Sequence, residues 1–151
     1  MYNILIVGHG NFATGMKSAF DLLLGASDRV HAQDLSEDIT HEQFEKVVTD
    51  YLNKYDKLIV FADLIGGAPS QIVTRKIAEL AKSKEQFIVS GVSLALMVEI
   101  STNILILNDE EDMLKKINNS LNGIISLVGV MSLADFEENE EELELEYEDM
   151  I

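Results

Sequence analysis

The chain has 151 residues, 47% of them hydrophobic, and a mean hydropathy of +0.10, which suits one globular domain with a real core and not a disordered chain. It has no cysteine, so disulfide and thiolate chemistry are excluded and an intracellular address is expected. The net charge of −16 disfavours nucleic acid and anionic membranes.

That charge is unevenly spread. Residues 135–149, "DFEENEEELELEYED", hold ten acids and no base, so the rest of the chain sets 17 acids against 11 bases. No stretch approaches the roughly 20 apolar residues of a membrane span. The start, "MYNILIVG", lacks the basic and small-residue signature of a secretory signal and reads as a first strand.

Residues 3–8, "NILIVG", are a nearly unbroken apolar run of the kind found in strands covered on both faces. The run ends on His9, set between Gly8 and Gly10, where little crowds the backbone. Helical spacing follows in Phe12, Met16, Ala19, Phe20 and Leu23, with Gly25 as a stop. "VHAQDL" (30–35) predicts a second strand. Thr40 and Gln43 suit a capping box ahead of the stripe Phe44, Val47, Val48, Tyr51, Leu52 and Tyr55. "KLIVFAD" (57–63) predicts a third strand closing on Asp63. After "LIGG", Pro69 sits in the first turn of a third helix that buries Ile72, Val73, Ile77, Leu80 and Ala81.

"QFIVSGV" (86–92) predicts a fourth strand. "SLALMVEIST" suits a helix, and "NILILND" a strand or the same helix continuing. Met113, Leu114, Ile117 and Leu121 predict a helix over roughly 109–122. "GIISLVGVM" (123–131) reads as a last strand at a sheet edge, and 132–151 as an acidic tail, either a solvated, partly disordered segment or, as the sharper reading, one that docks on a partner. The alternation predicts an α/β fold: a doubly wound, mostly parallel sheet with helices on both faces. Residues 1–131 form the expected domain and 132–151 its tail.

In such sheets ligands bind beyond the carboxyl ends of the strands, where strand order reverses, usually between strands one and three. Those strands deliver His9 and Asp63 to one rim. A carboxylate that accepts from one ring nitrogen fixes the tautomer and leaves the other lone pair free to act as a nucleophile. Gly66 and Gly67 permit positive φ and close backbone approach ahead of a helix N-terminus, an arrangement that receives anions. No lysine or arginine flanks either motif, so the backbone at Gly10, Ile65, Gly66, Gly67 and Ala68 is the candidate phosphate cradle. A histidine at a strand end, an aspartate cap and a Gly-Gly turn also have purely structural uses. His31 and His41 read as structural, and three scattered histidines predict no metal site.

"ILIVGHGNFATGMKSAFDLLLG" together with "VFADLIGGAPS" resembles the IIA component of the mannose family of the bacterial phosphoenolpyruvate-dependent sugar phosphotransferase system, over about residues 1–125. The resemblance implies a phosphohistidine carrier without a separate cofactor. His9 would accept a phosphoryl group through Nε2 from the carrier HPr and pass it to a histidine of IIB, which phosphorylates sugar entering through the membrane components IIC and IID. Asp63 matches the aspartate that hydrogen-bonds the active histidine. The likeness further implies a cytoplasmic protein that associates peripherally with the permease, and a homodimer in which a C-terminal strand, here "GIISLVGVM", pairs with the other subunit's sheet. Two positions depart from the pattern: Ala68 stands where a serine is frequent, and Ile65 where an aromatic is. A IIA–IIB fusion would continue through an Ala/Pro-rich linker, whereas this sequence runs into acid, so a separate IIB is expected.

Three alternatives remain. The phosphocarrier subunit of phosphoenolpyruvate-dependent dihydroxyacetone kinase shares the histidine position, but tends to S-H-S and lacks G-G-x-P. Histidine phosphatases need an arginine where Gly8 stands. The third is an acidic flavodoxin-like or receiver-like binding module; a receiver would want paired acids where "GHG" stands.

Overall fold

The structure, a computed structural model, describes residues 1–150. Four strands, β1 (Asn3–His9), β2 (Val30–Leu35), β3 (Leu58–Ala62) and β4 (Gln86–Ser90), form one parallel sheet in the order β2-β1-β3-β4. The helices between them are α1 (Phe12–Leu24), α2 (His41–Lys54) and α3 (Ala68–Leu80). Then follow α4 (Leu94–Leu105), α5 (Met113–Asn122), a single 3₁₀ turn (Ile124–Leu127) and α6 (Leu133–Asp149).

The central strands are apolar at successive positions because both faces are covered. Along β1, Ile4 and Ile6 enter one core with Ile59 and Phe61 of β3, against Phe20 of α1, Met97 and Ile100 of α4, and Ile117 of α5. Leu5 and Val7 enter the other with Leu58 and Val60, against Phe44, Val48 and Leu52 of α2 and Val73 of α3. Alternation across the pleat thus serves two helical layers at once. The expected doubly wound fold is present.

Local signals set the helix ends. Thr40 accepts from the Gln43 N–H at 3.1 Å while Gln43 accepts from the Thr40 N–H at 2.9 Å, the reciprocal box that starts α2. Gly25 ends α1 at φ 83°. Ser93 caps α4, whose apolar Leu96, Met97, Ile100 and Ile104 continue through "NIL"; the segment left open by sequence is one helix to Leu105.

Two expectations need correction. Residues 123–131 are not a strand in the single chain. A strand requires a ladder partner, and with none the segment closes one 3₁₀ turn, in which Gly123 O accepts from the Ser126 N–H and hydroxyl, and then runs on unpaired. Only its Leu127 packs on the core. The acidic segment is solvated as expected, but it is helical: α6 buries no residue, and Ser132 N–H donates to Asp135 at its start. Residue 151 lies outside the described residues. Among the described residues, no helix is long and apolar enough to cross a membrane.

Candidate functional site

Parallel pairing of β1 and β3 sets Val7 opposite Ala62, so the residues that follow, His9 and Asp63, reach the same rim of the sheet. The chain leaves the core here: Val7 is fully buried, while the His9 side chain is 45% exposed and that of Asp63 11%. Asp63 Oδ2 accepts from the His9 backbone N–H at 2.9 Å and lies 2.8 Å from His9 Nδ1. Oδ1 accepts from the Leu64 N–H at 2.9 Å. An ionised carboxylate can only accept, so Nδ1 carries the ring proton and the lone pair is on Nε2. Burial pushes the Asp63 carboxyl up, but hydrogen bonds from the His9 amide and ring and from the Leu64 amide outweigh it and hold the group below the usual carboxylate range. The aspartate is therefore a charged partner at neutral pH.

On its other side the ring lies against Gly67. A Cβ there would stand 2.7 Å from His9 Cε1 and 3.5 Å from Nε2, so any side chain would displace the imidazole. The sequence reading gave both glycines of the pair the same freedom; the structure separates them. Gly66 makes the turn at φ 77°, held by a 2.7 Å bond from Gln71 Nε2 to its carbonyl, whereas Gly67 has an ordinary φ of −71° and matters for its missing Cβ. Gly67 is also the N-cap of α3 and gives no side-chain cap, so the first-turn N–H groups begin beside Nε2 without a side-chain acceptor.

The other candidate positions divide. Ala68 opens α3 and has only its backbone to offer, and Ile65 is 84% exposed, so its side chain meets solvent rather than the ring. Gly10 adopts φ 58°, but its N–H already donates to Leu35 O at 3.0 Å, which removes it from the free amides. Gly8 is not uncrowded: a Cβ there would meet Phe12 Cδ1 at 2.4 Å, so the glycine lets α1 pack on the strand end.

The sequence reading missed the end of β2. Asp34 accepts from the Thr14 N–H at 3.0 Å and from its hydroxyl at 2.6 Å, anchoring the first turn of α1 just behind the His9 loop. An acid closing a strand was the only signal available. Arg75 lines a shallow groove with Ile65 and Gly66 but is engaged by Glu45 and Glu79 at 2.9 and 3.2 Å. His31 lies apart, its ring stacked on Tyr55 and tilted against Tyr51 with Nε2 3.1 Å from Asn3 Oδ1, and His41 starts α2. A ring fixed by a carboxylate acceptor, open at Nε2 and set before a helix N-terminus, can take and release a phosphoryl group.

Residues 3–118 match the family described as "PTS system fructose IIA component" (EIIA-man). No sequence match is found among curated proteins. Phosphotransferase system component EIIA from Streptococcus agalactiae superposes with a TM-score of 0.73 at 21% identity, over 89% of this chain and 99% of that one. The mannose/sorbose specific IIA subunit from Enterococcus faecalis gives 0.70 at 15%, over 87% and 95%. The PTS IIA protein associated with the fucose utilization operon of Streptococcus pneumoniae gives 0.62 at 24%, over 89% and 94%. At these identities the likenesses speak for the fold alone.

Proposed function

The chain belongs to the PTS system fructose IIA component family, and from that premise we propose that it is a phosphohistidine carrier of a sugar phosphotransferase system. The Nε2 lone pair of His9 attacks the phosphorus of phospho-HPr. The N–P bond of the donor breaks as the Nε2–P bond forms, and the donor ring leaves with the electron pair. Nδ1–H stays on Asp63, whose negative charge offsets the positive charge the ring acquires. The amides of Gly67 and Ala68, with Ile65 and Gly66 in the turn before them, receive the phosphoryl oxygens in place of a cation.

A histidine of a separate IIB protein is the next acceptor, and sugar entering through IIC and IID is the last. The half-exposed ring lets both carriers reach Nε2 in turn. The phosphoryl group is held covalently, so the cycle asks for no cofactor. The carrier works in the cytoplasm and meets the permease only peripherally, through residues 1–131; residues 132–151 are an appendage. A homodimer is part of the reading: the outer edge of β4 is unpaired, and beside it runs an apolar groove of about 470 Å³ that includes Phe87, Val89, Leu114 and Leu121.

The observation that carries the proposal is the 2.8 Å contact of His9 Nδ1 with Asp63, which leaves Nε2 as the open nucleophile beside Gly67. Incubation with phosphoenolpyruvate, enzyme I and HPr should yield an acid-labile, base-stable adduct, absent in His9→Ala. An aspartyl adduct would mark a receiver instead, and steady release of inorganic phosphate a phosphatase.

A further inference from the structure

Helix α6 lies beyond the residues that match the family, and none of its residues is buried. Its apolar side chains are nonetheless ordered. Leu133, Phe136, Leu143, Tyr147 and Met150 follow spacings of three and four that repeat every seven residues, with Glu140 in the one polar place of the row. Such residues share one helix face, and this row is about 26 Å long. All five are exposed, from Phe136 at 54% to Met150 at 84%; of the large apolar side chains only Leu145 departs from the row. A face of this kind is made to be covered.

The charges beside the row say by what. Its flanking positions hold Glu137, Asn139, Glu144 and Glu146, so an antiparallel second copy of α6 would set Glu137 against Glu144, and either orientation would bring two strongly acidic helices together. Along the helix, Glu137 and Glu141, Glu138 and Glu142, Glu140 and Glu144, and Glu144 and Glu148 repel at four-residue spacing. The last turn has no base to meet the negative helix end, and among the described residues no ion pair involves α6. Nucleic acid and anionic membranes are repelled. One occupant satisfies both the apolar row and its flanks: an apolar helix face edged with lysine or arginine.

We propose that α6 is a docking helix that packs its apolar row against a basic amphipathic helix of a partner protein. The role is independent of phosphate on His9, so it stands or falls apart from the carrier function. The test titrates the full chain with a labelled three-heptad peptide carrying leucine at the core positions and lysine at the flanks, read by fluorescence anisotropy and by gain of helicity. A shuffled peptide of the same composition is the control. The row predicts binding about tenfold or more tighter than to the shuffled peptide, weakened by salt and by about tenfold or more in Leu143→Asp, while Leu145→Asp leaves it unchanged. Equal binding of the two peptides would reduce α6 to a charge and overturn the proposal, as would indifference to Leu143→Asp or no binding. Self-association lost on removing residues 132–151 would also overturn it, by making a second copy the occupant.

Discussion

An asparagine at position 63 has the size of the aspartate but cannot replace its hydrogen bonding. Three donors converge on two oxygens: the His9 N–H and Nδ1–H on one, and the Leu64 N–H on the other. Whichever way the amide is turned, its NH₂ meets a donor, and the charge is lost as well. Hydrogen bonds to a charged group contribute about 1.5–3 kcal/mol, so phosphorylation of Asp63→Asn should slow by about tenfold to a hundredfold, read as the rate of adduct formation from phospho-HPr. Gly67→Ala acts from the other side. The new methyl forces the exposed ring off its contact, so the rate should fall by a similar factor while the urea midpoint moves little. A midpoint that moved as far as the rate would mean that α3, not the ring, gives way. Acid should act in two windows. Burial first, then Lys54 and Lys17, lowers the His31 ring, so folding stability declines as the pH falls below about 6.5, where the unfolded histidine protonates first. Asp63 is depressed in the folded chain, so its contribution is present above about 4 and is lost as the pH falls through its lower folded value. Denaturant titrations from pH 7.5 to 3 should show the upper decline flattened in His31→Gln and the lower one in Asp63→Asn.

At the scale of elements, the helices with chemical stop and start signals were readable and the C-terminal segment was not. The Thr40–Gln43 box, the stripe of Phe44, Val48 and Leu52, and Gly25 each act within one turn of the chain, so composition and spacing disclose them. Removing the cap hydroxyl in Thr40→Ala should cost about 1 kcal/mol in chemical denaturation, with the fold intact and His9 still phosphorylated. "GIISLVGVM" has the residues of a strand but pairs with no strand of its own chain, and β propensity only records how well a segment suits a ladder. The acidic segment misled in the opposite direction. Its charge suggested disorder, whereas the Asp135 bond to Ser132 N–H and the run of good helix formers make it helical without burying anything.

For the molecule as a whole, burial separates what the fold needs from what it merely carries. Two cores sandwich the sheet, and no α6 residue belongs to either. Truncation after residue 131 should therefore leave stability within about 0.5 kcal/mol and leave phosphorylation of His9 unchanged. Truncation after residue 122 removes the exposed apolar run with it. If that run covers the β4 edge of a second subunit, sedimentation should find a dimer for the first truncation and a monomer for the second. A monomer in both, and in the intact chain, would remove dimerisation from the proposed function without touching the chemistry at His9.

The order of strands and helices through β4, and the delivery of His9 and Asp63 to strand ends, follow from the sequence alone. Apolar periodicity and caps act over a few residues and need no distant partner. The tertiary structure decided the rest: that Asp63 Oδ2 holds both the amide and the ring of a residue 54 positions away, that Gly67 touches that ring, that Gly10 is already engaged, and that 123–131 stays unpaired. Contacts of this kind depend on strand register. A one-residue slip would turn the side chains of β1 to the opposite face, and no local preference encodes that alignment.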